Sequence, residues 1–420
     1  MKNMRTIILA AGKGTRMKSQ LPKVLHKVCG KPILSYVLDL AKAIGSLKIY
    51  VVLGHQYDEV KKILSDDCIV VRQEKLLGTA DAIKSVEKHF QFYYGDILIL
   101  SGDAPLLQKA TLKKIIERHR RTKAVCTFLT AVVHEPKGYG RVLRGDNQKV
   151  YAIREEKDAI GFEKDVAEIN VGVYCMQAKE LFKTLKQVRL NNKKKEFYLT
   201  DLIELFYNKR MRIETVKVSD AQEGLGINTR MDLAVAENVL RQRILKDLML
   251  SGVTIVDPLT TYIHSDVKIG QDTIIRPCTF IENNVRIGKK CLIGPCARFR
   301  PGTRIANNVE IGNFTEVNAS KLGSGVFMKH FSYLGDATVG KNANIGAGVV
   351  TANFDGKKKN FTKIGDHAFV GSDSILVAPI SIGKKAVTGA GSVVTRNKNV
   401  PDYAVAVGVP AKIISKRTNL

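Results

Sequence analysis

Three cations, a carboxylate and a run of small residues make the first recognisable chemistry of this chain. In "IILAAGKGTRM" (Ile7 to Met17) an apolar run breaks into Ala10, Ala11 and Gly12, then Lys13 and Arg16 follow, with Lys23 further on after Pro22. Small residues free backbone N–H groups to hold phosphate oxygens, and nearby cations neutralise the charge that builds up in phosphoryl transfer. The spacing excludes two familiar phosphate loops. Gly12 and Gly14 begin a G-x-G-x-x-G pattern whose sixth position is Met17, and no GxxxxGK[ST] occurs. Further along, "ILILSGDAPL" sets Asp103 behind Gly102 at the end of an apolar run, where α/β sheets present ligands. A carboxylate there suits Mg²⁺, which takes one or two carboxylates together with substrate phosphate oxygens. Taken singly, each stretch is also what a plain turn would show.

The elements that must position these residues follow from periodicity. "RTIIL", "KIYVVL", Cys68–Arg72, Asp96–Leu100 and Val125–Val133 are expected as buried strands. Helical periods fall at "KPILSYVLDLAKAIG", Ala80–His89 and Thr111–Arg121. The alternation predicts an α/β domain with a mostly parallel sheet over residues 1–228. A linking helix is expected over 229–252: Leu233, Ala236, Leu240, Ile244 and Leu248 share a face, Asn228 or Thr229 is the N-cap, and Gly252 the stop.

From there to residue 420 the period changes. Ile263, Ile269, Ile275, Ile281, Ile287, Ile293, Phe299, Ile305, Ile311 and Val317 recur every six positions, often followed by Gly. The pattern slips twice and resumes at Ile364, Val370, Leu376 and Ile382. Neither a helix nor an alternating strand has that period, so residues 253–420 are expected to form a parallel β-helix whose flat faces favour self-association. "TANFDGKKKNFTK" (Thr351 to Lys363) breaks the period and reads as a loop expelled from the coils, a place where repeat scaffolds carry function.

Composition narrows the setting. The chain has 420 residues, too many for one ordinary core, and no apolar run long enough to span a bilayer. Its first apolar run stops at Gly12, which argues against a signal peptide, so the cytoplasm is expected. Seven cysteines form no CxxC pair and lack His at metal spacing, so reduced, mostly buried thiols are expected. The formal net charge is +27, but apart from short runs such as Lys193–Lys195 and Lys357–Lys359 the basic residues are spread along the chain. With no basic tail and no aromatic-interleaved motif, nucleic acid is not expected, and a Lys-rich proteome or attraction of small polyanionic substrates is the simpler account of the charge.

The phosphate turn, the Gly-Asp after a strand and a hexapeptide half containing "KHFSYLGDATVGKNANIGAGVVTANFDG" occur together, and over nearly its whole length the sequence resembles one family. This is the bacterial bifunctional N-acetylglucosamine-1-phosphate uridylyltransferase and glucosamine-1-phosphate acetyltransferase. The resemblance implies a Rossmann-like nucleotidylyltransferase domain and a left-handed β-helix. It implies uridylyl transfer from UTP, acetyl transfer from acetyl-CoA, Mg²⁺, a homotrimer, and a product feeding peptidoglycan and lipopolysaccharide synthesis. Leu9, Ala10, Ala11 and Gly12 match the nucleotide-binding turn, with Arg16 and Lys23 as its cations. Gln73, Gly78 and Thr79 match the uracil readers; Gly140, Glu155 and Asn170 match the sugar site; Asp103 and Asn228 match the metal ligands. In the second half His330 matches the catalytic base, a role suited to a side chain that titrates near neutrality, and Glu316 its orienting carboxylate. Arg300, Tyr333, Asn344 and Lys359 match the glucosamine-1-phosphate site, and Ala347, Asn353, Phe354, Ser372 and Ala390 the acetyl-CoA contacts.

Three departures stand out. Asn318 takes the place of a phosphate-binding Lys, Phe354 stands where Tyr is common, and the solenoid is shorter than usual by about two coils of three hexads each. Two alternatives stay open on these grounds. One is a nucleotidylyltransferase whose β-helix serves only assembly or regulation, and the other a non-catalytic assembly subunit. The set Arg16, Lys23, Asp103 and Asn228 speaks against the second.

Overall fold

The computed structural model describes residues 4–190, 193 and 195–416, so Lys194 and the last four residues lie outside the described residues. The chain divides into two compact units, Met1–Val239 and Leu240–Leu420.

The first unit is built on one sheet. In chain order its main strands are β1 (Arg5–Ala10), β2 (Lys48–Leu53), β3 (Cys68–Arg72), β4 (Asp96–Ser101), β5 (Cys126–Val132), β6 (Glu168–Gln177) and β7 (Ile213–Lys217). They lie in the order β7-β5-β6-β4-β1-β2-β3. Pairings β1–β2, β1–β4, β2–β3 and β5–β7 are parallel. Strand β6 runs antiparallel to both neighbours, and its sequence did not mark it as a strand, because Glu168, Asn170 and Gly172 interrupt its apolar run. Ile7, Val52 and Ile99 enter the core on one side of the sheet, and Ile8, Val51 and Leu100 the core on the other.

Helix α1 (Ile33–Ala43) falls within its expected stretch, α2 (Thr79–Lys84) starts one residue before its own, and α3 (Lys109–Thr122) extends beyond the expected Thr111–Arg121 at both ends. The stretch 80–89 does not continue as one helix: the Ser85 hydroxyl donates back to the Ala82 carbonyl, and Glu87–Phe90 tightens into a 3₁₀ turn.

The linking helix α4 spans Arg230–Leu250 and contains the division between the units. Thr229 is its cap: Asp232 N donates to Thr229 Oγ1 (3.1 Å), and the Asp232 carboxylate accepts from the N–H groups of Asn228 (2.9 Å) and Thr229 (2.8 Å). Asn228 thereby keeps its side chain for other work. Thr229→Ala is expected to cost about 1 kcal/mol, read as a lowered unfolding midpoint.

The second unit is a left-handed β-helix whose strands stack into sheets of ten, eight and seven members. Ile263, Ile281, Phe299 and Val317 are successive register partners 18 residues apart, one coil of three hexads. The hexad residues form one continuous interior, with Ile269 partly buried at its edge. The two slips are shortened coils: Arg304 pairs with Lys321 and Lys321 with Thr338, each 17 apart. The expelled loop then lengthens one coil, so that Val339 pairs with Ile364, 25 apart.

Candidate functional site

At the carboxyl end of β1 the parallel register sets Leu9 beside Ser101 and Ala10 beside Leu53. The phosphate turn and Asp103 therefore emerge side by side. Gly102 N donates to the Leu9 carbonyl (2.9 Å), and a Cβ at Gly102 would stand 3.0 Å from that oxygen, so glycine lets the two strand ends close up without a shift of the neighbouring backbone. Gly14 adopts φ +60°, and Gly12 has open space where a side chain would be.

Lys23 binds the Asp103 carboxylate and reaches Asn228 Oδ1 at 3.2 Å, while Arg16 donates to the same Asn228 oxygen at 2.9 Å. Ser101 Oγ holds the other Asp103 oxygen at 2.6 Å. Burial pushes the Asp103 carboxyl up, but the Lys23 ammonium and the hydrogen bonds from Lys23 and Ser101 outweigh it, and the group sits below the usual carboxylate range. Four residues drawn from distant parts of the sequence thus converge. Asp103 and Asn228 each offer an oxygen to one cation, here the Lys23 ammonium, and that donor set fits a hard divalent ion whose remaining ligands come from phosphate and water. No cluster of three or more His, Cys, Asp or Glu able to hold a metal occurs among the described residues.

Gln73 is buried, with its amide donating to the Gly78 carbonyl (3.1 Å) and to Asp81 (2.7 Å). Gly78 has φ +110°, and a Cβ there would lie 2.5 Å from the Phe197 carbonyl; Thr79 Oγ1 accepts from Leu199 N at 2.9 Å. Gln73, Gly78 and Thr79 therefore share one wall with the segment near Leu199. Gly140, Glu155 and Asn170 also meet: Asn170 N donates to the Gly140 carbonyl (2.8 Å), and a Cβ on Gly140 would lie 3.6 Å from Glu155 Oε1. Thr200 donates to Glu155 (3.0 Å), and Asn170 to the Tyr174 hydroxyl (2.6 Å). Burial, then Glu155 and Glu204 nearby, raise the Asp201 carboxyl to about 6, so this end of the site is an acidic cluster. Ser101, Asp81, Thr200 and Tyr174 went unnoticed in the sequence; only Ser101, next to the Gly-Asp pair, had a local signal.

In the second unit His330 is exposed and follows Met328 at a corner of the solenoid. Ala347, Ser372 and Ala390 follow Ile345, Val370 and Thr388 at the same spacing, and the registers Ile311–Met328, Phe327–Asn344, Ile345–Val370 and Val370–Thr388 make these successive coils. His330, Ala347, Ser372 and Ala390 therefore line one edge. Neighbouring coils are tied there by Asp373 N to the Ala347 carbonyl (2.7 Å) and Gly391 N to the Ser372 carbonyl (2.8 Å).

Glu316 lies on the adjacent eight-stranded face, beside Tyr333, and its carboxylate pairs with Arg300 at 3.0 Å rather than with His330. Asn318 is buried on the same strand. Asn353 is buried near Tyr333, and a Cβ at Gly335 would press on the Tyr333 hydroxyl and come within 2.6 Å of Asn353 Nδ2. Gly335→Ala is accordingly expected to force the Tyr333 and Asn353 side chains apart, read as a lowered unfolding midpoint. Asn344 sits on the ten-stranded face between Phe327 and Phe369.

The expelled loop is fastened. Phe354 bridges Lys359 in antiparallel fashion, and Asp355 accepts from Lys357 N (3.0 Å), Lys358 N (2.8 Å), Asn360 (2.9 Å) and Arg396 (2.7 Å). The Lys358 N–H, then Asn360 and Arg396, hold the Asp355 carboxyl far below the usual range. Lys359 and Phe354 stand exposed on this turn. Asp355 and Arg396 are supports that the loop composition did not single out.

An α/β sheet with a phosphate turn, joined in one chain to a hexapeptide solenoid with a histidine edge, defines a nucleotidyltransferase coupled to a hexapeptide-repeat acyltransferase. The MobA-like NTP transferase domain matches residues 6–197, the bacterial transferase hexapeptide residues 284–319, and the hexapeptide repeat of succinyl-transferase residues 362–396. The chain is 43% identical over 439 residues to the bifunctional protein GlmU of Lactococcus lactis subsp. lactis, covering 97% of this chain and 95% of that protein. It is 40% identical to those of Acetivibrio thermocellus (97% and 95% covered) and Clostridioides difficile (99% and 97%). The chain belongs to the GlmU family, and is a bifunctional acetyltransferase and uridylyltransferase. The first alignment runs to 439 positions, more than the 420 residues of this chain, so that relative carries residues absent here.

Proposed function

We propose that the solenoid acetylates glucosamine 1-phosphate from acetyl-CoA and the α/β unit then joins N-acetylglucosamine 1-phosphate to UTP, releasing pyrophosphate. The observation that carries the first unit is the convergence of Arg16, Lys23, Asp103 and Asn228 at the end of β1. In this reading Ala10, Ala11 and Gly12 offer backbone N–H groups to the triphosphate, and Arg16 and Lys23 neutralise charge on the phosphorus under attack and on the departing pyrophosphate. Gln73, Gly78 and Thr79 face the base, and Gly140, Glu155 and Asn170 the sugar. The sugar-phosphate oxygen is itself the nucleophile, so positioning and charge suffice and no covalent enzyme intermediate is needed. Mg²⁺ held by Asp103 and Asn228 would supply positive charge to the same phosphates. Chelation should then stop pyrophosphate release, and Mg²⁺ should restore it; turnover undiminished in excess chelator would contradict the assignment.

In the solenoid His330 takes the proton from the amine of glucosamine 1-phosphate as nitrogen attacks the thioester, and the thiol of CoA leaves. The edge of Ala347, Ser372 and Ala390 gives an extended cofactor a track that ends at His330. Asn353 and Phe354 would border that track, and Arg300, Tyr333, Asn344 and Lys359 hold the sugar phosphate. Glu316 acts through Arg300 in this arrangement. The faces bearing Tyr333 and Asn344 meet at the His330 corner, and a homotrimer would close the site there with a second copy. Small-molecule substrates, a cytoplasmic setting and a product destined for peptidoglycan and lipopolysaccharide complete the proposal.

Asn318 favours one other reading, uridylyl transfer alone, since a neutral amide replaces a phosphate-binding cation. That reading requires His330→Ala to leave every measurable activity intact.

A further inference from the structure

The seven-stranded face of the solenoid carries a row that neither transfer reaction uses. Its strands pair in the register Lys268–Arg286, Arg286–Arg304, Arg304–Lys321, Lys321–Thr338 and Thr338–Lys363. Since paired strands lie about 4.8 Å apart, four cations stand in line over roughly 15 Å, with a fifth two coils on. Arg286 and Arg304 spend hydrogen bonds on the carbonyls of Asp266 and Asn284, which holds their guanidinia along the face. Among the described residues no carboxylate pairs with Lys268, Arg286, Arg304, Lys321 or Lys363, although Arg298, Arg300 and Lys329 on the other two faces all have acidic partners. Like charges stacked on neighbouring strands destabilise a sheet, so the row costs the solenoid stability for no gain inside the chain.

The other two faces differ in kind. The ten-stranded face exposes Ile274, Phe327 and Phe369, and the eight-stranded face Tyr262 and Phe280, which suit burial against another protein surface. The basic row itself carries no aromatic side chain and no acidic one. A single-stranded nucleic acid is held by cations interleaved with aromatic platforms, and those are missing from this row. A flat row of cations complements a flat anionic surface, since each Lys or Arg near acidic headgroups adds favourable attraction.

We propose that this face is an electrostatic docking surface for an anionic lipid bilayer, holding the enzyme reversibly at the membrane surface without insertion. Consistent with surface attachment alone, no helix among the described residues is long and apolar enough to cross a membrane. The row also gives part of the +27 net charge a use that substrate attraction does not.

The test is co-sedimentation of the full-length protein with vesicles of phosphatidylcholine alone and of phosphatidylcholine mixed with phosphatidylglycerol, at low and high salt. Binding is expected to the mixed vesicles only and to disappear at high salt, since it is screened within a Debye length. A variant combining R286Q, R304Q, K321Q and K363Q should bind at least about tenfold more weakly, with both transferase activities retained and an unfolding midpoint no lower than that of the unmodified protein. The pair K357Q and K358Q, on the expelled loop, removes charge elsewhere and should bind as the unmodified protein does. Equal binding to both vesicle types, a quadruple variant that binds undiminished, equal losses in the two variants, or tighter retention by an oligonucleotide than by the mixed vesicles would each overturn the proposal.

Discussion

Replacing Arg16 with Ala is expected to lower uridylyl transfer by about 10²- to 10³-fold, the usual loss when one preorganised charge-stabilising donor is removed. Acetyl transfer should stay within experimental error of the unmodified enzyme. Arg16 is the informative choice because it is exposed and makes one hydrogen bond, to Asn228, so its removal leaves the sheet, the Lys23–Asp103 pair and the capped helix in place. Removing Lys23 would instead strand a mostly buried carboxylate, and a loss of activity could then reflect folding. The effect should fall on kcat more than on KM if the guanidinium stabilises charge that develops as the α-phosphorus is attacked. A rise in KM with kcat unchanged would assign Arg16 to nucleotide binding.

The second large effect belongs to His330. His330→Ala is expected to cut acetyl transfer by about 10²- to 10⁴-fold, the range for loss of a general base, and to leave pyrophosphate release untouched. The side chain is exposed at a solenoid corner and lies outside the continuous interior, so the substitution should not unfold the coils. Since Glu316 is bound to Arg300, Glu316→Gln should act more weakly than His330→Ala and chiefly through the KM for glucosamine 1-phosphate. An equal loss in both variants would show Glu316 acting on the histidine directly.

Much of this was legible in the sequence, for different reasons in the two units. A six-residue period can be met only by stacked coils, so the inward residues from Ile263 to Val317 could be named individually, and all lie inside or at the edge of the interior. The parallel strands β1 to β4 and the turn after β1 were equally plain, because both faces of each strand are covered and the small residues interrupt a continuous apolar run. Strand β6 was not, since Glu168, Asn170 and Gly172 break up its apolar run and leave no continuous signal. The choice between Asn228 and Thr229 as cap was also open, as both side chains cap well. Only the Asp232 contacts resolve it, and they leave Asn228 to Lys23 and Arg16. Supporting groups such as Thr200 on Glu155 and Arg396 on Asp355 act across long separations in the chain, where sequence spacing carries no signal. The pairing of Glu316 with Arg300 belongs to the same class: it depends on two coils lying in register.

The central claim is that one chain runs two group transfers at two separate sites, and one measurement bears on it most directly. The purified protein is given glucosamine 1-phosphate, acetyl-CoA, UTP and Mg²⁺, and free CoA and pyrophosphate are followed together. The account predicts that both appear, that CoA leads pyrophosphate, that Arg16→Ala stops only pyrophosphate, and that supplying N-acetylglucosamine 1-phosphate lets His330→Ala release pyrophosphate at the full rate. Pyrophosphate released from N-acetylglucosamine 1-phosphate with no CoA ever formed from glucosamine 1-phosphate would contradict it.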